Sequence, residues 1–438
     1  MKFLQRLTAR GWIFLTLGLV ISLGSALGGR TEIMRIGVAL IALCVLSLIV
    51  VERTRHRLAC ARGLTPHRVT MGTEAASLLR LTNMSRFPSG VLLVEDSVPP
   101  QLGLDTRFVL DRLEGNGRRD VTVNISPNQR GRFVLGPVAV RLVDPFGLCS
   151  STRRFTATDT LTVTPVVAAL PALPLGGDWI GRGDHRARAV AAAGEDDVVP
   201  RDYRTGDELR RVHWLASAQA GELMVRREEQ PWRTQATIII DCRRTAHRGS
   251  GEIGANASSF EVLVSAAASI GVHFMRRGYA VHLVDHNGSN LIGRQGDVAT
   301  GEGEGLLLDA LAVLDTQDGR TLTLASPTRR RQVGSGLLIA LLGELTLPAA
   351  QEFAALRTGT STGLAIVANT ASWHQLKDST FNPHTAHDTA ALLVASGWRA
   401  TLAARGDDVS NVWRSLAQSG LAAGRRGAAP NKSAEVAS

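Results

Sequence analysis

Two stretches near the N-terminus carry no charge: residues 11–29 and residues 36–51. Each approaches the roughly 17–25 apolar residues that a helix needs to cross a bilayer, and only residues 30–35 separate them. A helix satisfies its own backbone N–H and C=O groups, so two such segments joined by a tight loop predict a transmembrane hairpin. A signal peptide would be followed by a polar mature start, whereas here a second apolar run follows at once. Lys2, Arg6 and Arg10 precede the first span, and Arg53, Arg55, Arg57 and Arg62 follow the second. Both outer flanks are richer in cations than the intervening loop, which places the termini and the bulk of the chain in the cytoplasm of a multi-pass cell-membrane protein.

Beyond residue 62 the pattern shortens. Residues 63–165 carry brief alternating or apolar runs at 76–81, 90–95, 107–110, 120–125, 132–135, 138–143 and 160–164, separated by turn clusters such as 83–88 and 114–117. That spacing predicts a small antiparallel sandwich or barrel. Residues 166–233 begin with a Pro- and Gly-containing linker. From residue 234 to 419 the period changes to alternating βα units with nearly all-apolar strands at 236–241, 279–285, 336–342, 363–369 and 398–403. Helices are expected near 258–277, 304–314, 348–356, 388–396 and 409–418. Such strands belong in a parallel sheet covered on both faces. The small-residue, polar segment 420–438 reads as a disordered tail. The fold class is therefore membrane-anchored α/β: a hairpin, a β-rich domain and a C-terminal parallel-sheet domain.

The net charge of +10 and pI near 10.5 invite a nucleic-acid reading, and the location of the charge removes it. The first 62 residues hold nine cations against Glu32 and Glu52, a balance of +7, and the tail adds +2. The remaining +1 in the folded middle leaves no basic groove. Four cysteines stand alone at 44, 60, 149 and 242 without a C-x-x-C pair, so neither a disulfide framework nor a zinc site is indicated. Unpaired cysteines agree with a reducing compartment. Cys149 and Cys242 read as small buried hydrophobes rather than nucleophiles. His282 and His286 read as surface or loop residues, since spacing by four does not converge ligands on a strand. Residues 301–305 lack the Lys and Ser/Thr of a phosphate loop and mark a flexible helix start. Asp144-Pro145-Phe146-Gly147-Leu148 reads as a turn with an inserted aromatic, or else a partner contact.

The densest polar block runs from Gly194 to Trp232. Within it Arg201, Asp202, Tyr203, Gly206, Asp207, Arg210, Val212, His213, Trp214, Ser217, Ala218, Gly221, Glu222, Leu223, Val225 and Arg226 form a spaced pattern. With Arg130-Gly131-Arg132-Phe133, Gly136-Pro137 and Asp144–Leu148 upstream, it resembles the domain of unknown function 58 family of bacterial membrane proteins. Gln219 and Leu215 depart from that family's usual basic residues. Physically, Asp207 is placed to cap a short helix, and Arg204, Arg210 and Arg211 can pair with nearby acids. Trp214 and Tyr203 offer faces on which an arginine can stack. A polar network tying linker to sheet, a contact surface for a partner or anion, and catalysis by His213 with Asp207 or Glu208 all remain open for this block.

The resemblance implies a von Willebrand factor A-like sheet after the block, with a D-x-S-x-S metal pattern following its first strand. Here the sequence is Asp241-Cys242-Arg243-Arg244-Thr245. Asp241 and Thr245 fit, but Arg243 sets a guanidinium where an oxygen donor belongs, so no metal and no other cofactor are expected and Asp241 should pair with an arginine or cap the loop. The resemblance further implies, as partners, a MoxR-type AAA+ ATPase and a transglutaminase-like membrane protein beside the lipid bilayer. The resulting expectation is a non-enzymatic scaffold or adaptor on the cytoplasmic face. Its contact residues would be Arg201, Tyr203, Gly206, Asp207, Arg210, His213, Trp214, Ser217, Gly221 and Glu222. The alternative is a hydrolase or transferase using His213 with Asp207 and Glu208. A third reading has Arg53, Arg55 and Arg57 sensing anionic lipid.

Overall fold

The structure is a computed structural model of the chain. It describes residues 6–102, 106–144, 146–172, 200–203, 212, 214–226, 235–249, 254–292, 300–319, 322, 336–357, 362–373 and 385–426. Two compact units emerge: Met1–Val166 with Ile253–Ala255 and Leu311–Leu314, and the remainder.

In the first unit, helices α1 (Ala9–Leu27) and α2 (Thr31–His56) form an antiparallel pair, both long and apolar enough to cross a membrane. The expected loop at 30–35 shrinks to residues 28–30, because Gly29 takes a left-handed φ of 66° that turns the chain at once. The helices approach closely where Gly18 faces Gly37: a Cβ on Gly37 would lie 2.9 Å from the Gly18 carbonyl oxygen. Small residues at such a crossing let backbones pack in lipid.

Ten strands follow: β1 (Leu58–Thr65), β2 (Arg68–Thr70), β3 (Ala75–Asn83), β4 (Val91–Asp96), β5 (Thr106–Leu110), β6 (Arg118–Ile125), β7 (Gly131–Leu135), β8 (Val138–Val143), β9 (Ser150–Phe155) and β10 (Asp159–Thr164). They form three sheets, β1-β3-β6, β2-β10-β7 and β5-β4-β8-β9, antiparallel except for the β2–β10 pair. β3 alternates buried and half-buried positions without a break, as a strand with one face on a core must. Leu79 and Leu81 from the first sheet share a core with Leu92, Val94 and Val140 from the third. A fully buried ion pair joins Arg62 of β1 to Asp96 of β4. β1 begins at Leu58, inside the segment read above as a basic flank, and β2 and β9 were not foreseen. Gly63 interrupts β1, and β9 is built of Ser, Thr and Arg, so neither shows a clean apolar alternation.

The second unit carries a two-stranded ribbon of β11 (Pro200–Asp202) and β12 (Met224–Arg226) with helix α3 (Trp214–Ala220) between them. Next comes a five-stranded parallel sheet, β13 (Gln235–Ile240), β14 (Ala280–Val284), β15 (Leu337–Leu342), β16 (Gly363–Ala368) and β17 (Arg399–Ala403), in the order β14-β13-β15-β16-β17. Helices α4 (Ser259–Met275), α5 (Thr300–Val313), α6 (Leu347–Ala354), α7 (Thr385–Ala395) and α8 (Val409–Arg426) alternate with the strands. Every residue of β15 and β16 is buried, as a parallel strand covered on both faces requires. Residues 301–305 are the first turns of α5. Helix α8 runs through 420–426, residues read above as tail; positions 427–438 lie outside the described residues.

Candidate functional site

Much of the signature block can be placed. Arg201 of β11 pairs with Val225 of β12, and the Tyr203 N–H donates to the Leu223 carbonyl at 2.9 Å. Trp214 opens α3. The Ser217 hydroxyl oxygen accepts the Met224 N–H at 2.8 Å, tying the helix to β12. Gly221 ends the helix with a φ of 75°, a left-handed position that glycine fills without steric cost. Glu222 is exposed in the turn to β12. Gly206, Asp207, Arg210 and His213 lie outside the described residues, as does Glu208. The ribbon therefore holds Trp214 on a braced scaffold with the residue 70% exposed; Leu223 is exposed as well. An indole left in water on an ordered helix is the kind of group that anchors interfaces.

A second constellation sits at the carboxyl end of the parallel sheet. β13 is the first strand of this sheet in chain order and lies between β14 and β15, so the chain reverses direction across the sheet there. Open α/β sheets form their crevice at such a point. A cavity of about 430 Å³ opens here, lined by Arg243, Thr245, Arg248, Glu344, Thr346 and Glu352 among others. The fully buried Asp241 carboxylate is clamped by Arg243 of that lining: Nε donates to Oδ1 at 2.9 Å and Nη2 to Oδ2 at 2.7 Å. Arg243 Nη2 also donates to the Glu344 carbonyl at 3.1 Å, and the Gly343 N–H donates to Asp241 Oδ2 at 3.3 Å. The guanidinium thus ties the ends of β13 and β15 and occupies the donor atoms that a divalent ion would need. Thr245 is exposed, its hydroxyl donating to Gly319 O at 3.4 Å. Among the described residues no group of three or more His, Cys, Asp or Glu is placed to hold a metal.

His247 lies beside this clamp, buried. Its Nε2 donates to the Asp241 carbonyl at 2.7 Å, and its Nδ1 accepts from Ser259 Oγ at 3.1 Å. Burial pushes its pKa below the usual 6.5 and outweighs the nearby Asp241. The serine–histidine pair is not a nucleophile and base, because Ser259 is fully buried and the other ring nitrogen holds a main-chain carbonyl rather than a carboxylate. The sequence reading passed over His247; its nearness to the acid at the end of β13 was the available signal.

Other candidates resolve by burial. His286 sits in the loop after β14 but is 1% exposed, not on the surface, and His282 is half-buried on β14. Cys242 and Cys149 are fully buried, and burial followed by Asp144 pushes the Cys149 thiol up to about 11, far from a reactive thiolate at neutral pH. The Asp144–Leu148 segment is a turn, with Gly147 at a φ of 70°. Its aromatic is not inserted: Phe146 is 59% exposed.

No curated protein matches this sequence. Among solved structures, 25% of the chain is similar to the CARDB domain of the PF1109 protein from Pyrococcus furiosus, over 94% of that chain, at 16% identity and a TM-score of 0.20. The alkylpurine DNA glycosylase AlkC of Pseudomonas fluorescens is similar over 28% of this chain and 38% of its own, at 19% identity and a TM-score of 0.15. A β-glucosidase from Listeria innocua is similar over 22% of this chain and 16% of its own, at 11% identity and a TM-score of 0.15. Likenesses this slight carry no argument about fold or activity. What the sequence does match, over residues 199–297 and so across the signature block and β13, α4 and β14, is the family described as Protein of unknown function DUF58.

Proposed function

We propose that this chain is a membrane-anchored, non-enzymatic scaffold on the cytoplasmic face, whose partner contact is the exposed Trp214 face of the signature block. The α/β unit is, on this reading, a degenerate von Willebrand factor A-like domain. The order of its strands and the capture of Asp241 by Arg243 support that. The arginines flanking the hairpin and the cysteines held outside any disulfide support the cytoplasmic placement. The partner is read as a MoxR-type AAA+ ATPase, acting with a transglutaminase-like membrane protein in assembly or envelope maintenance.

The observation that carries the proposal is the exposed indole. Tryptophan is costly to leave in water, and the Met224 N–H donating to Ser217 and the Tyr203 N–H donating to Leu223 brace the ribbon that presents it. A photo-crosslinking residue in place of Trp214, in native membranes, should capture an AAA+ ATPase, and Trp214→Ala should abolish its co-purification. No adduct at 214, together with unchanged partners in Trp214→Ala, would overturn the proposal.

A further inference from the structure

We infer that the Asp144–Cys149 turn is a second membrane contact, inserted into the interfacial layer of the same bilayer that the hairpin crosses, with Phe146 in contact with lipid. The inference rests on the reading of α1 and α2 as membrane spans.

Its position comes first. The turn is bonded to the start of α1: the Thr8 N–H donates to Leu148 O at 2.9 Å and the Thr8 hydroxyl to Gly147 O at 2.6 Å. Gly11 opens the charge-free stretch and lies so close that a Cβ there would run into the Leu148 carbonyl. On the other helix, the Cys149 thiol reaches the Cys44 carbonyl at 4.0 Å, and the Cys44 thiol reaches Gly11 O at 3.8 Å. Cys44 precedes the end of the apolar stretch at Val51 by seven residues, roughly 10 Å at 1.5 Å per residue. Val45, Leu46, Ile49 and Val50 of α2 are all exposed around that level. The turn therefore lies at or inside the apolar edge of the spans, not out in water beyond them.

Its chemistry fits that depth. Asp144 is 5% exposed, and its carboxylate accepts the N–H groups of Phe146 at 3.2 Å and Cys149 at 2.7 Å. The Gly147 N–H donates to Asp144 O at 3.0 Å, while the Gly147 and Leu148 carbonyls accept from Thr8. The one acid of the turn is thus withdrawn and its polar backbone groups are largely satisfied within the protein, as a poorly hydrated environment requires. Leu148 and Cys149 are buried in one hydrophobic cluster with Cys44 and Val51, so among the described residues of the turn the side chain offered outward is the Phe146 ring. The guanidinium of the exposed Arg10 lies near Gly147, where it can reach lipid phosphates while the ring sits below them.

The test uses the full chain in liposomes of phosphatidylethanolamine and phosphatidylglycerol, with a photo-crosslinking residue placed singly at 146, at 20 or at 411, and phospholipid adducts read by mass spectrometry. Val20 is exposed on α1 and Asn411 is exposed on α8. The expected result is an adduct at 146 comparable to that at 20, and none at 411. An adduct at 20 with none at 146 overturns the inference and leaves the hairpin standing. Absence of adducts at both 20 and 146 overturns the hairpin reading and the inference with it. Equal yield at all three positions shows unspecific adsorption and also overturns it.

Discussion

Asp241 shows how a neighbouring arginine sets the surroundings of a buried acid. A buried carboxylate at the end of a central strand needs positive charge or several donors to stay ionised without water. Here Arg243, two residues on, supplies both with a bidentate fork. Removing the guanidinium strands a buried charge, which typically costs about 3–5 kcal/mol. Arg243→Ala should therefore unfold the α/β unit at clearly lower denaturant concentration than the parent chain. Pairing it with Asp241→Asn should recover part of the loss. The fluorescence of Trp373, Trp398 and Trp413, all buried in this unit, reports the transition; an unchanged midpoint in Arg243→Ala would contradict the clamp. The acid and its need for an arginine were legible in the sequence, because both fall within five residues. The Gly343 and Glu344 backbone groups that complete the clamp come from about a hundred residues away, and only the pairing of β13 with β15 brings them there.

Among the elements, the parallel strands were the most legible. Burial on both faces leaves continuous apolar runs, as in Leu337–Leu342 and Gly363–Ala368. Of the strands that escaped, β1 and β9 are held by pairing with β3 and β8 despite Gly63 and Arg153. Between α1 and α2 the decisive element is the Gly18–Gly37 crossing, where a side chain on Gly37 meets the Ser22 hydroxyl and the Gly18 carbonyl. Gly37→Val should cost about 1–3 kcal/mol through overpacking and lower the melting temperature of the detergent-solubilised chain. Gly24→Val serves as the control, since a Cβ there meets nothing within 4 Å. Equal melting of the two variants would argue against the close crossing.

For the whole molecule, the charge that first suggested nucleic acid belongs mainly to the ends. The hairpin's flanks are cationic where Arg10, Arg53 and Arg57 are exposed, and the folded middle is close to neutral. The sequence carried the first parallel strand as the apolar run 236–241, which is β13. It could not show that the ribbon leaves Trp214 in water or that Asp144–Cys149 docks on α1, because both depend on contacts between distant segments. The proposed scaffold requires a membrane-anchored chain with its bulk in the cytoplasm. The most direct measurement is labelling by a membrane-impermeant maleimide in spheroplasts, on a Cys60→Ser background, with a single added cysteine at Thr31→Cys or Asn411→Cys. The account predicts that residue 31 labels in intact spheroplasts and residue 411 only after lysis. Labelling of 411 in intact spheroplasts, with 31 protected, would contradict it.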